Sequence, residues 1–188
     1  MRVFINAGHD RKYDSGAVNP GSGLREADVA ANVAELVVKY LTAAGCECKS
    51  MQSDNLAPTG AGRSEYADRQ GATVCEVAND WGADIFVSIH CNAFNESAHG
   101  TEVECYGAGE GARLAGNIQN QIVDSLGTLD RGVKTMPQLL VLKYTDMPAC
   151  LVEMAFIDND DDAELLANRQ DDFARAIARG VTDYENNL

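Results

Sequence analysis

At 188 residues, 45% hydrophobic and 23% charged, the chain is long enough to bury one sizeable core without needing disulfides or a second domain. Its 29 acidic residues against 15 basic ones give a net charge of -14 and a pI near 4.4, which argues against nucleic acid as a partner and disfavours an anionic membrane surface. No apolar stretch approaches the roughly 20 residues of a membrane span, so membrane insertion is not expected.

Met1 runs at once into an apolar segment without the charged start of an export signal, so export by that route is not expected either. That first segment, Val3, Phe4 and Ile5, reads as a strand leading through Asn6, Ala7 and Gly8 to His9. A polar, glycine-containing loop follows from Asp10 to Gly23. Glu26 then falls at or near the start of a helix in which Val29, Val33, Leu36, Val37, Tyr40, Leu41 and Ala44 recur at helical spacing, closed by Gly45. A carboxylate in a first helical turn complements the helix dipole. It is also a metal ligand type, and spacing alone does not choose between the two.

A short strand near Cys46 to Met51, a loop from Ser53 to Gly62 and a helix from Arg63 to Trp81 come next, with Tyr66, Ala67, Val74, Val77, Ala78 and Trp81 inward. They lead to Asp84 to Ala93, DIFVSIHCNA, where Ile85, Phe86, Val87 and Ile89 form the continuous apolar run of a parallel strand covered on both faces. The run ends in His90 and Asn92, placing an imidazole at the carboxyl edge, where open α/β sheets bind ligands. Beyond it the pattern predicts a strand from Gly100 to Tyr106, a helix from Ala112 to Leu126, strands from Gln138 to Leu142 and Ala149 to Phe156, and a last helix from Asp161 to Glu185. The alternation implies one α/β domain over residues 1–188: a mostly parallel twisted sheet of about six strands flanked by helices on both faces.

The chemistry gathers at strand ends. His9 and His90 make a candidate metal pair, and with Glu26 they form two imidazoles and a carboxylate, a set that zinc accepts in hydrolytic sites with a fourth position open. His99 is a rival third ligand. Glu153 interrupts the apolar run ACLVEMAF, where a carboxylate loses hydration unless a cation or donors meet it or the strand lies at an edge. Beside a metal it can serve as a general base. Asn92 suits either the orientation of substrate or ligand or the capping of its loop. Cys91, adjacent to His90, points to the opposite face of its strand and reads as core packing. The six cysteines are expected to be reduced, and Asp158 to Asp162 reads as a solvated acidic face.

Taken together, NAGHxxxxDSGA at residues 6–17, Glu26, SIHCNA at 88–93, GTEVECY at 100–106 and LVEMAFIDN at 151–159 resemble the zinc-dependent N-acetylmuramoyl-L-alanine amidases of the amidase 3 family. Order and separation match across nearly the whole chain. The resemblance implies one Zn2+ ion held at the positions of His9, Glu26 and His90, with catalysis by Glu153. It implies hydrolysis, in peptidoglycan, of the amide between the lactyl group of N-acetylmuramic acid and L-alanine of the stem peptide. It favours Glu26 over His99. Three departures stand out: a loop after His9 one residue longer than the common form, Val74 where the family often has an arginine (Arg69 lies further upstream), and Cys91 where a small residue is frequent. Action on the bacterial cell wall without an export signal suggests phage-type or prophage-type release, or a catalytic domain taken from a longer protein. Other classes are a zinc peptidase cutting a different amide, a non-catalytic wall-binding module, and a cysteine hydrolase using Cys91 or Cys150.

Overall fold

A computed structural model describes residues 1–58 and 71–187. Among these the order is β1 (Arg2–Ala7), α1 (Glu26–Ala43), β2 (Glu47–Gln52), α2 (Val74–Trp81), β3 (Ile85–Asn92), β4 (Thr101–Cys105), α3 (Glu110–Leu126), β5 (Asp130–Thr135), α4 (Leu140–Lys143), β6 (Ala149–Phe156), α5 (Asp160–Asn168) and α6 (Gln170–Asn186). The strands form a single six-stranded sheet in the order β2-β1-β3-β6-β4-β5. All neighbours are parallel except β4 and β6, which run antiparallel. The fold is therefore α/β with a mostly parallel sheet. No helix among the described residues is long and apolar enough to cross a membrane.

The two-residue period of the strands sorts the core into two layers. Val3 and Ile5, Ile85, Val87 and Ile89, and Cys150, Val152 and Met154 face α1, α3 and α6, joined by Val33, Ile118 and Ile177 in one fully shielded cluster. On the other face Phe4 and Phe86 stack with ring centroids 5.7 Å apart, Trp81 lies 6.3 Å from Phe4, and Val74, Val141 and Leu142 of α2 and α4 close the layer. Each fully buried large side chain contributes about 1.5–3 kcal/mol relative to exposure. This second layer covers the sheet's lower half, leaving the carboxyl ends of β1, β3 and β6 for polar residues.

Four boundaries differ from expectation. Gln138 to Leu142 is no strand: the chain turns there into α4. The sixth strand is β5, an edge strand whose residues are mostly exposed and therefore show no apolar run. The last helix is two, α5 and α6, broken at Arg169 (φ -120, ψ 27), with α5 capped by Asn159 accepting from the Asp162 N–H. The second helix begins at Val74, because Thr73 and Glu76 form a reciprocal capping box. Tyr66, Ala67, Arg69 and much of the preceding loop lie outside the described residues.

Since β3 runs with β6 and β4 against it, the segment from Ala93 to Gly100 vaults over the end of β6. Asp158 Oδ2 accepts the N–H groups of Phe94 and Glu96 at 2.9 Å, and Asp162 Oδ2 accepts those of Gly100 and Phe156 at 2.8 Å. Part of the acidic run 158–162 is thus structural: Asp162 is buried.

Candidate metal centre

His9, Glu26 and His90 converge from three elements. β1 and β3 pair in parallel, so their carboxyl ends lie side by side, and the Gly8 N–H donates to Ile89 O at 2.9 Å. The first residue of α1 is Glu26, which drops its carboxylate between the two imidazoles. His9 Nε2 lies 3.0 Å from Glu26 Oε2, and His90 Nδ1 3.0 Å from Glu26 Oε1. Backbone N–H groups of Ala17 and Cys91 also donate to Glu26, fixing both oxygens. One ligand atom from each residue can be chosen so that all lie within 4.8 Å of one another. Two imidazole nitrogens and a carboxylate oxygen at this spacing fit a divalent ion such as zinc.

Backbone conformation makes room for the cluster. A β-carbon on Gly8 would collide with the His90 ring, and one on Gly16 would strike Glu26 and His9, at a φ of 62 that side chains rarely adopt. His9 itself has φ 63, a left-handed conformation unusual outside glycine, of the strained kind that clusters at functional sites.

Electrostatics bind the three together. Burial lowers the proton affinity of His9, but hydrogen bonds and charges from Glu26 and Asp14 outweigh it and raise its pKa from 6.5 to about 9. Burial pushes Glu26 up, yet its bonds to His9 and His90 hold it well below the ordinary carboxylate range.

β6 is internal to the sheet, so Glu153 has no edge to escape through. It sits in register with His90 on one side and Glu102 on the other, on the same face of the sheet. Its Oε2 is buried without a hydrogen-bond partner. Burial, then the negative charges of Glu26, Glu104 and Glu102, push its pKa well above the usual range. An unpartnered carboxyl with raised proton affinity beside a candidate metal centre is suited to proton transfer.

Other candidates separate from this group. His99 is exposed, its Nδ1 3.3 Å from Ser97 O, and it does not join the ligand cluster. Asn92 donates to Glu102 Oε1 at 2.9 Å while its Oδ1 accepts the Ala93 N–H, so it combines a loop cap with a link to the acidic face. Cys91 packs in the main core, as expected, and burial raises its thiol pKa well above 9. Cys150 is likewise buried and raised, so neither presents a thiolate nucleophile. All six cysteines are free. Sequence reasoning missed the role of Asp14, whose Oδ2 lies 2.8 Å from His9 Nδ1 and fixes the ring so that Nε2 faces the centre. Its only signal was its place in the NAGHxxxxDSGA motif.

The chain matches the amidase 3 family, described as N-acetylmuramoyl-L-alanine amidase, over residues 3–183. It is 40% identical over 187 residues to the uncharacterized protein YqiI of Bacillus subtilis, covering 97% of this chain and 84% of that one. To the N-acetylmuramoyl-L-alanine amidase LytC of the same organism it is 38% identical over 188 residues, covering 97% of this chain but only 35% of LytC. Among solved structures, the N-acetylmuramoyl-L-alanine amidase AmiC2 of Nostoc punctiforme superposes with a TM-score of 0.83 at 31% identity, over 99% of this chain and 97% of that one.

Proposed function

The chain belongs to the amidase 3 family of N-acetylmuramoyl-L-alanine amidases, and from that premise we propose that residues 1–188 act as one zinc-dependent catalytic domain on bacterial peptidoglycan. The bond cleaved is the amide between the lactyl group of N-acetylmuramic acid and L-alanine of the stem peptide. His9, Glu26 and His90 hold one zinc ion. Zinc in such a site supplies Lewis acidity, lowering the pKa of water and polarising a carbonyl.

The chain's own residues do the rest. Asp14 orients His9, and the N–H groups of Ala17 and Cys91 hold Glu26. Glu153, in register with His90, takes the proton from the attacking water and delivers it to the departing alanine nitrogen. Asn92, fastened to Glu102, positions the substrate beside it. The observation that carries this reading is the convergence of two imidazoles, one shared carboxylate and a glutamate whose Oε2 is shielded without a hydrogen-bond partner at the carboxyl ends of adjacent strands.

The test is digestion of purified peptidoglycan by the wild-type chain and by Glu153→Ala, with zinc content and newly formed amino termini measured for each. Wild type should release N-terminal alanine, while Glu153→Ala should hold zinc and release none. Termini belonging to another residue, or full activity in Glu153→Ala, would refute the bond or the base.

A further inference from the structure

The side chains of the metal centre are fastened to one another, but the backbone segments that carry them need a tie of their own. His9 and Glu26 are separated by the loop 10–25, and His9 holds a left-handed φ of 63. A conformation of that kind persists only where its surroundings fix it. β1 lies between β3 and β2, and each neighbour grips its end. On the β3 side the Gly8 N–H donates to Ile89 O at 2.9 Å, joining the approach to His9 to the strand that carries His90. On the β2 side the grip comes from Gln52.

Gln52 is the last residue of β2, in register with Ala7 of β1, and is partly buried. Its Nε2 donates to Gly8 O at 3.1 Å and to Ala27 O at 2.9 Å. Gly8 precedes His9 and Ala27 follows Glu26, so one amide group spans the two segments that present ligands. Both of its protons are committed there, since a side-chain amide nitrogen carries two. The partners also fix the orientation of the group: turned over, Oε1 would face two carbonyl oxygens and both attractions would become repulsions. Among the described residues Gln52 makes no hydrogen bond to the His9 ring, the Glu26 carboxylate or His90. Whatever it does to the centre runs through the backbone.

We propose that Gln52 is a positioning residue of the metal centre, whose amide sets the separation of the His9 and Glu26 backbones so that both ligands meet the ion in the right geometry. The residue type suits this task. A hydroxyl offers one proton where two carbonyls wait, and a lysine adds a charge beside the ligands of a cation, whereas glutamine supplies two donors and no charge. The proposal rests on the reading of His9, Glu26 and His90 as a metal centre.

The test measures zinc affinity of the whole chain by chelator competition in wild type, Gln52→Met and Asn79→Leu. Gln52→Met keeps the length of the side chain and loses its donors. Asn79, in the last turn of α2 ahead of the amino end of β3, ties backbone in the same fashion, donating to Tyr144 O at 2.9 Å and accepting the Asp146 N–H at 3.1 Å. Its variant therefore reports what losing two such bonds does by itself. Gln52→Met should bind zinc about 10–100-fold more weakly, and Asn79→Leu as tightly as wild type. The visible absorption bands of Co2+-loaded Gln52→Met should also differ from those of wild type. Unchanged affinity, an unchanged cobalt spectrum, or equal weakening in both variants overturns the proposal. Should Gln52→Met fail to fold, Gln52→Asn decides. Its amide is one methylene too short to span both carbonyls, so weaker zinc binding upholds the proposal and wild-type binding overturns it. A wild-type chain that takes up neither zinc nor cobalt overturns the metal reading itself, and the role of Gln52 with it, whereas every other outcome leaves that reading intact.

Discussion

On one face of β1, β3 and β6, Ile5, Ile89 and Met154 are wholly shielded among hydrophobic neighbours, whereas one residue away on the other face stand Asn6, His90 and Glu153. The same backbone ladder serves both sets. Because side chains alternate at every residue, a change on one face leaves the other face's neighbours in place. Chemistry and stability can thus be varied separately within a few ångströms. The polar face is the costly one: it holds an unpartnered carboxyl and a left-handed histidine, which the packed face must offset.

The strongest way to break this separation is Glu153→Ala, expected to lower kcat on peptidoglycan by about 10²–10⁴-fold while the urea midpoint holds steady or rises, since a carboxyl oxygen shielded without a partner is removed. A fall in stability comparable with the loss in rate would show that the faces are coupled. Ile89→Ala probes the other side and should cost about 2–5 kcal/mol in urea unfolding while the zinc-to-protein ratio stays at one. Asp14→Asn reaches the centre through His9 and through the Gly16 N–H, which Asp14 Oδ1 accepts at 3.0 Å. Chelator competition should show zinc binding weakened by about 10–100-fold, with little change in the unfolding of the metal-free chain.

The smallest effect is a pH dependence. The pKa of Glu104 is raised from 4.5 to about 7 in the folded chain, so the native state binds its proton more tightly than the unfolded one. Its contribution to stability is complete below about 4.5 and is lost as pH rises through about 7. Thermal melts of wild type and Glu104→Gln across this window should therefore diverge, with the wild type falling more steeply. Parallel curves would mean that the charge of Glu104 is relieved elsewhere.

What could be read from the residues follows the same division. The apolar runs ending at His9 and His90 were legible because burial on both faces demands continuous hydrophobicity, and Glu153 stood out against such a run. β5 was not legible, because an exposed edge strand, DRGVKT, has no need of an apolar run. α5 and α6 merged in the reading because helical spacing continues across Arg169, and only the backbone there shows the break. Glu102 and Glu104 were passed over for a related reason. Polar residues alternating along a strand read as a wet face, yet in the folded chain both are buried, at 9% and 7% exposure. Asp14 drew no notice of its own because a carboxylate in a polar loop is ordinary until a histidine ring is found beside it.

The vault from Ala93 to Gly100 carries a consequence for how such a catalyst diversifies. Its two feet are riveted to Asp158 and Asp162, next to the start of α5, and its crown is a turn in which Asn95 Oδ1 accepts the N–H groups of Ser97 and Ala98 while Glu96 is tied by its N–H to Asp158 and by its carbonyl to Asn159. The side chains of Ser97 and Ala98 can therefore change while the bonds of Phe94, Glu96 and Gly100 to Asp158 and Asp162, and the β3–β6 register that pairs His90 with Glu153, stay in place.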